Sequence, residues 1–364
     1  MSLHNKPQHD MMLAIGLMSG TSFDGVDAGL IRSDGQEKIE LLGGITMPYP
    51  QSLRKRLKDI MNASLKDLLV IEDMLTREHI KAIYELLRIK HYTSQDIALV
   101  GFHGQTVIHI PSAHLTWQIG NPNLISYETR IDTVADFRRK DMAAKGQGAP
   151  FVPIFHQALS AKLPKAIAFL NIGGVANLTY IDTDHLIAFD TGPGMAPIDD
   201  IVEEATGAAF DGDGSIASQG NVNKQILEHF LQAPYLRQPP PKSLDRSGFN
   251  FNLLYNLHLQ DKLATLCAII ANTVEIGLGL MPTKPKQIIV SGGGRKNKTI
   301  MTLLRQTINT EVHTIDDILE VDGDLVEAYA FGYLAIRSKK NLPLSFPSTT
   351  LAPHPMSGGA FYRA

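Results

Sequence analysis

Short apolar runs bounded by glycine and small polar residues alternate along the chain with stretches whose apolar residues recur every three or four positions. Residues 11–17 and 26–31 are two such runs on either side of a Gly/Ser/Thr/Asp segment, which predicts a hairpin. Residues 39–46 continue it as a third strand. Between residues 66 and 90, Leu68, Ile71, Leu75, Ile83 and Leu86 share one helical face, and His79 takes the remaining position on it. That period predicts a long amphipathic helix. Residues 97–102 then read as a buried strand ending on His103, Gly104, Gln105 and Thr106.

A second cycle starts near residue 166. Residues 167–171, the pair Gly173 and Gly174, and residues 175–181 again read strand, glycine turn, strand. Residues 185–190 form another strand, expected to end at the turn Thr191, Gly192, Pro193, Gly194. Residues 234–241, with three consecutive prolines, predict a loop. Leu263, Leu266, Cys267, Ile270, Val274 and Leu278 make a helical stripe, and residues 287–291 form a strand that opens into Gly292, Gly293 and Gly294. Alternation of this kind predicts an α/β chain. The recurrence of strand–glycine turn–strand near residues 20 and 173 fits two duplicated domains facing a shared ligand. Glycine turns also join ordinary hairpins, so spacing alone leaves both readings open.

Composition narrows the function classes. The chain has 364 residues, enough for about two domains. Its 44% hydrophobic and 20% charged residues describe a packed protein and exclude intrinsic disorder. With 34 Lys and Arg against 37 Asp and Glu, the net charge is −3, without the basic bias that marks nucleic-acid binding. The single cysteine excludes an intramolecular disulfide and a multi-cysteine zinc site, which fits a reducing cytoplasm. The polar first ten residues lack the apolar segment of a secretory signal, and the most apolar stretch, residues 264–281, is broken by Asn272, Thr273 and Glu275. A soluble protein without membrane partners is expected.

Several constellations could carry chemistry. In the segment from Gly20 to Asp27, glycines let backbone N–H groups approach an anion, Thr21 and Ser22 add hydroxyls, and Asp24 or Asp27 could accept from magnesium-bound water. The same residue types also make a solvated turn. The Gly292–Gly294 triplet follows a strand and precedes a helix, where nucleotides bind, yet it is neither a dinucleotide fingerprint nor a Walker loop, since Asn297 stands where the latter needs glycine. Asp190, at a strand end, can serve as a general base or as a turn cap. His103, Gln105 and Thr106 offer hydrogen bonds to a hydroxylated ligand, and Arg138 offers a guanidinium to a carboxylate or phosphate. Residues 211–215 lack the later Gly and Glu of a calcium loop, and no zinc-protease or serine-hydrolase motif occurs.

Taken in order, seven segments resemble the anhydro-N-acetylmuramic acid kinase family: residues 16–27, 101–106, 135–139, 146–150, 171–179, 189–194 and 291–294. The resemblance spans nearly the whole chain. It implies an α/β fold of two ribonuclease-H-like, actin-like ATPase domains flanking a nucleotide cleft. The expected division is residues 1–168 with 345–364, carrying the first phosphate hairpin and the sugar motifs, and residues 169–344, carrying the second hairpin, the catalytic aspartate and the adenosine loop. By resemblance, ATP would be held by Gly20, Thr21, Ser22, Phe23, Asp24, Gly25, Val26 and Asp27 from one domain. Gly173 and Gly174 would hold phosphates from the other, with Gly292, Gly293 and Gly294 at the adenosine. Mg2+ would sit at Asp24 through water.

The implied reaction converts 1,6-anhydro-N-acetylmuramic acid, ATP and water to N-acetylmuramic acid 6-phosphate, in cytoplasmic cell-wall recycling. Asp190 would activate the water and Glu327 would assist, while His103, Gln105, Thr106 and Arg138 bind the sugar. The resemblance also implies a homodimer, which no sequence feature specifies. The chain departs from the family pattern at Met195, where asparagine is usual, and at Leu351, where glycine is. Those departures keep two alternatives in view: a kinase of the same fold for another amino sugar, and a non-catalytic nucleotide- or sugar-binding protein.

Overall fold

A computed structural model of the chain describes residues 11–20, 23–244, 249–319 and 321–364. They form two compact units, Met1–Ala161 with Leu325–Ala364, and Lys162–Asp324.

The first unit opens with the expected hairpin, β1 (Met12–Met18) and β2 (Gly25–Ser33), and the third strand, β3 (Ile39–Pro48). The helix Leu65–Lys90 follows, capped at its start by Ser64, whose side chain accepts from the Asp67 N–H. The strand β4 (Leu99–Phe102) pairs parallel with β1. A two-stranded ribbon, β5 (Gln105–Ile110) and β6 (Leu115–Ile119), comes next, then β7 (Thr133–Ala135) alongside β4. The ribbon lies outside the expected strands: β5 breaks alternation with Val107 and Ile108 in succession, and β6, although it alternates, exposes its apolar Leu115 and Trp117 instead of burying them.

In the second unit β8 (Ile167–Ile172), β9 (Val175–Ile181) and β10 (Leu186–Pro193) form an antiparallel meander. The strand β11 (Gln287–Ser291) pairs parallel with β8, and β12 (Glu311–Thr314) parallel with β11. The chain then returns to the first unit, where β13 (Ala360–Tyr362) pairs antiparallel with β7. The sheet orders are β3-β2-β1-β4-β7-β13 and β10-β9-β8-β11-β12. Both therefore contain three antiparallel strands whose first member runs parallel to the next two. This is the ribonuclease-H-like arrangement, present twice.

Alternation along β1 shows how the first sheet is filled. Ile15 and Leu17 join Leu75, Ile83 and Leu86 of the helix Leu65–Lys90 in one core. Fully burying such side chains contributes roughly 1.5–3 kcal/mol each. His79 is fully buried there too, with Nδ1 donating to the Leu75 carbonyl at 2.9 Å. Gly16 faces the other way, against the helix Val326–Lys339; a Cβ at Gly16 would run into the Ala328 carbonyl and the Gly332 nitrogen. That helix lies directly on the sheet for this reason. It belongs to the first unit, so the units divide at 161/162 and 324/325 rather than at the expected 168/169 and 344/345.

In the second unit the predicted stripe of the helix Leu259–Leu278 is buried, Cys267 included, and packs on Leu170, Ile172, Leu178 and Val290. Burial pushes the Cys267 thiol up to about 12, which makes it unreactive. Contrary to the expected strand end at Asp190, β10 continues through Gly192 and Pro193, which pair with Ala176 and Val175 after a bulge at Thr191. Proline is tolerated because β10 is an edge strand and Pro193 its last residue. Among the described residues no helix is long and apolar enough to cross a membrane.

Candidate active site

The turn after β1 is anchored from behind. Tyr49 Oη donates to Ser19 Oγ at 2.8 Å, Ser19 Oγ donates to Gln105 Oε1 at 2.6 Å, and Gln105 Nε2 donates to the Gly20 carbonyl at 3.1 Å. Gln105 is fully buried, so its amide fixes the turn from inside the unit. Phe23 adopts the left-handed conformation at φ 55°, and its carbonyl accepts from Arg54 Nε at 3.1 Å. Val26 points into the core, leaving only its backbone for a ligand. Asp24 is exposed, and partly buried Asp27 accepts from Thr46 Oγ1 at 2.5 Å. Thr21 and Ser22 lie outside the described residues.

His103 and Arg138 form the second element of this unit. Arg138 Nε donates to His103 Nε2 at 3.0 Å and Nη1 donates to the Gly148 carbonyl at 2.7 Å. Guanidinium only donates and a carbonyl only accepts, so His103 carries its proton on Nδ1, directed to the Gly104 carbonyl at 2.7 Å. Burial first, then Arg138, holds the imidazole well below its usual range and keeps it neutral. Arg138 is lowered to about 10 by burial, opposed by Glu327 and Asp141, and stays charged at neutral pH. Glu327, in the first turn of the helix Val326–Lys339, is raised by burial while Arg138 opposes the rise. Both ring nitrogens of His103 are engaged, so it orients Arg138. Thr106 sits on the ribbon and accepts a long bond from Gln118 Nε2 at 3.4 Å.

Buried Asp141 organises the neighbouring loop. Its carboxylate accepts from the Gly148 N–H at 2.7 Å and from Thr350 Oγ1 at 2.8 Å. Leu351 follows in the left-handed conformation, φ 61°, where the family's glycine would carry no steric cost.

In the second unit the Gly173 carbonyl accepts from the Met195 N–H at 2.7 Å, and the Gly174 carbonyl from the Gly194 N–H at 3.1 Å. The turn is thus tied to the segment after β10, and the Met195 side chain packs against the apolar core. A Cβ at Gly173 would meet nothing closer than 3.7 Å, and one at Gly293 nothing within 4 Å. Gly292 and Gly294 differ, since their missing side chains would collide with Asn171 and Ile172. Packing therefore requires Gly292 and Gly294, whereas the open space at Gly173 and Gly293 suits close approach of a ligand. Arg295 locks the triplet, with Nη1 donating to the Gly292 carbonyl and the guanidinium held by Asp316 and Asp324, each at 2.6 Å.

Asp190 is held on three sides by residues 235–244. Its N–H donates to the Lys242 carbonyl at 3.0 Å, its carbonyl accepts from Tyr235 Oη at 2.9 Å, and its Oδ2 accepts from the Leu244 N–H at 2.7 Å. Burial raises the carboxyl to about 6, against the Leu244 N–H and the charge of Lys242. A carboxylate at that value is largely ionised at neutral pH, yet basic enough to accept a proton usefully.

Each unit thus gathers its own predicted residues: Gly20 with Gln105 and His103 with Arg138 in the first, the Gly173 turn with the segment after Asp190 in the second. Sequence reading missed Ser19, Tyr49, Asp141, Tyr235, Lys242 and Leu244. Two left a signal: Ser19 lies inside the 16–27 segment, and Lys242 is a lone cation directly after three prolines.

A family model described as anhydro-N-acetylmuramic acid kinase matches residues 12–364. The chain is 41% identical over 364 residues to the protein of that name from Zymomonas mobilis, covering 96% of this chain and 100% of the other. It is 43% identical to the one from Azorhizobium caulinodans, covering 97% and 99%. Among solved structures it is similar to the activator of the 2-hydroxyisocaproyl-CoA dehydratase from Clostridium difficile with bound ADPNP, at 12% identity, TM-score 0.48 and coverage of 90% and 96%.

Proposed function

The chain belongs to the anhydro-N-acetylmuramic acid kinase family, and from that premise we propose that it converts 1,6-anhydro-N-acetylmuramic acid, ATP and water to N-acetylmuramic acid 6-phosphate and ADP. The observation that carries the mechanism is Asp190, bracketed beside the bulge of β10 with its carboxyl raised to about 6. Leu244 holds Oδ2, and Oδ1 accepts no hydrogen bond from a described residue. Oδ1 takes a proton from water as the water oxygen bonds to C1 of the sugar. The C1–O6 bond breaks, and O6 bonds to the γ-phosphorus with release of ADP. General-base assistance of this kind contributes roughly 10²–10⁴-fold.

Arg138, fixed in plane by His103 and the Gly148 carbonyl, pairs with the sugar's lactyl carboxylate, and Glu327 holds the water or a sugar hydroxyl. The 20–27 turn and Gly173–Gly174 bind the phosphates through backbone N–H groups, and Gly293 lets adenosine come close. Asp24, an exposed hard oxygen donor, fits Mg2+ held through water, since that ion keeps several waters and needs few protein ligands. The ion would neutralise phosphate charge. The same reading places the protein in cytoplasmic cell-wall recycling.

The test is one reaction in heavy-oxygen water with Mg-ATP and the anhydro-sugar, read by mass spectrometry. Heavy oxygen at C1 of a 6-phosphosugar is the expected result. Phosphorylation of an ordinary hexosamine with no reaction of the anhydro-sugar would shift the reading to another amino sugar. ATP binding without any product would leave a binding protein.

A further inference from the structure

Lys242 belongs to none of the steps above, yet its surroundings are unusual for a lysine. It is only 7% exposed. Its ammonium donates to the Tyr235 carbonyl at 2.8 Å and to the Leu236 carbonyl at 3.0 Å. It also lies 4.7 Å from the centre of the Tyr235 ring and 5.6 Å from that of Phe189, the residue before Asp190. Burying an ammonium is costly unless its donors are satisfied, and here backbone carbonyls and ring faces take that part. The result is a closed loop. Residue 242 is pinned to residues 235 and 236, and the loop so closed is hydrogen-bonded to the edge strand at Asp190.

Two polar groups of Asp190, its N–H and its carbonyl, are held by this loop, and one carboxylate oxygen is held just beyond it by Leu244. The register is set by Lys242. Its own carbonyl accepts from the Asp190 N–H, and two residues later the Leu244 N–H meets the carboxylate. Three prolines directly before Lys242 stiffen the chain but remove N–H groups, so they cannot tie the loop by donating backbone bonds. The lysine head does so instead.

We propose that Lys242 is a positioning residue for Asp190: its ammonium, by binding the Tyr235 and Leu236 carbonyls, keeps the Leu244 N–H on Oδ2 and leaves Oδ1 directed to the water. The inference rests on the reading of Asp190 as the base. Lys242 also supplies the positive charge facing Asp190, with the Tyr235 phenol as the other titratable group beside it. Losing the ammonium therefore makes the carboxylate both less well aimed and easier to protonate.

Three variants of the full chain test this, assayed with saturating Mg-ATP across pH 5–9. Lys242→Met keeps the stem and removes the charge; its kcat should fall roughly 10–100-fold, the scale of a misaimed reactive group. Its KM values for ATP and sugar should stay within about twofold, and the acidic limb of kcat/KM should move to higher pH. Lys242→Arg restores the charge and should return much of the rate. Leu244→Pro deletes the N–H donor without touching Lys242 and should move the limb the same way, so the idea stays testable should Lys242→Met fail to fold. A folded Lys242→Met enzyme with the parent's kcat and acidic limb overturns the proposal, as does a loss of kcat with the limb unmoved. An Asp190→Asn enzyme with parental turnover removes the base assignment itself, a separate failure.

Discussion

Replacing Asp190 by Asn should make the protein more stable and nearly inactive, and the two effects share one cause. Burial raises the carboxyl from its ordinary 3.8 to about 6, which amounts to roughly 3 kcal/mol against the charged form. Asn is nearly isosteric and its oxygen can still accept from the Leu244 N–H, so packing is kept while the buried charge is removed. The folded state holds its proton to higher pH than the unfolded chain does. The cost of the charge is therefore absent below about pH 3.8, grows between 3.8 and 6, and is complete above 6. Relaxation around a partly exposed group reduces the figure, so we expect Asp190→Asn to gain about 1–3 kcal/mol at pH 7.5 and close to nothing at pH 4. Urea denaturation of both proteins at pH 4, 6 and 7.5 measures the difference directly. Turnover of the variant should fall roughly 10²–10⁴-fold. A stability difference that does not change with pH, or a variant less stable than its parent at pH 7.5, would refute the reasoning.

Other expectations follow from the same geometry. Gly293→Ala meets no protein atom, so it should melt like the parent yet raise the KM for ATP tenfold or more; Gly294→Ala collides with Ile172 and should cost about 1–3 kcal/mol of stability. Equal melting of the two variants would contradict this division. Arg138→Lys loses the planar fork that reaches His103 and Gly148 together, so the sugar KM should rise at least about tenfold with the ATP KM unchanged; unchanged sugar KM removes Arg138 from the sugar site. Leu351→Gly relieves a left-handed residue worth roughly 1–2 kcal/mol and gives back part of it to unfolded-chain entropy, for a net gain of about 0.5–1 kcal/mol by thermal melting. A lower melting temperature would mean that the contacts of the half-exposed Leu351 side chain outweigh the strain.

Much of this protein is written locally. The two hairpins, the helix Leu65–Lys90 with His79 on its buried face, the Cys267 stripe and the strand running into Gly292 all follow from periods of two and 3.6 residues and from turn chemistry within a few positions. Asp190 and Glu327 came from ordered motifs rather than from periodicity, because a carboxylate at a strand end reads equally well as a cap. The sequence could not reveal what these groups touch. Ser19 and Gln105 are 86 residues apart, Arg138 and His103 are 35, and Leu244 and Asp190 are 54. Local pattern carries no information about which distant segments meet, and the strand end expected at Asp190 failed because a bulge depends on the partner strand. The raised carboxyl of Asp190 likewise exists only once residues 235–244 cover it. Secondary structure was determined by neighbours along the chain. Hydrogen-bond partners, desolvation and hence reactivity were decided by neighbours in space, because only the packed fold removes water from a charge and chooses what replaces it.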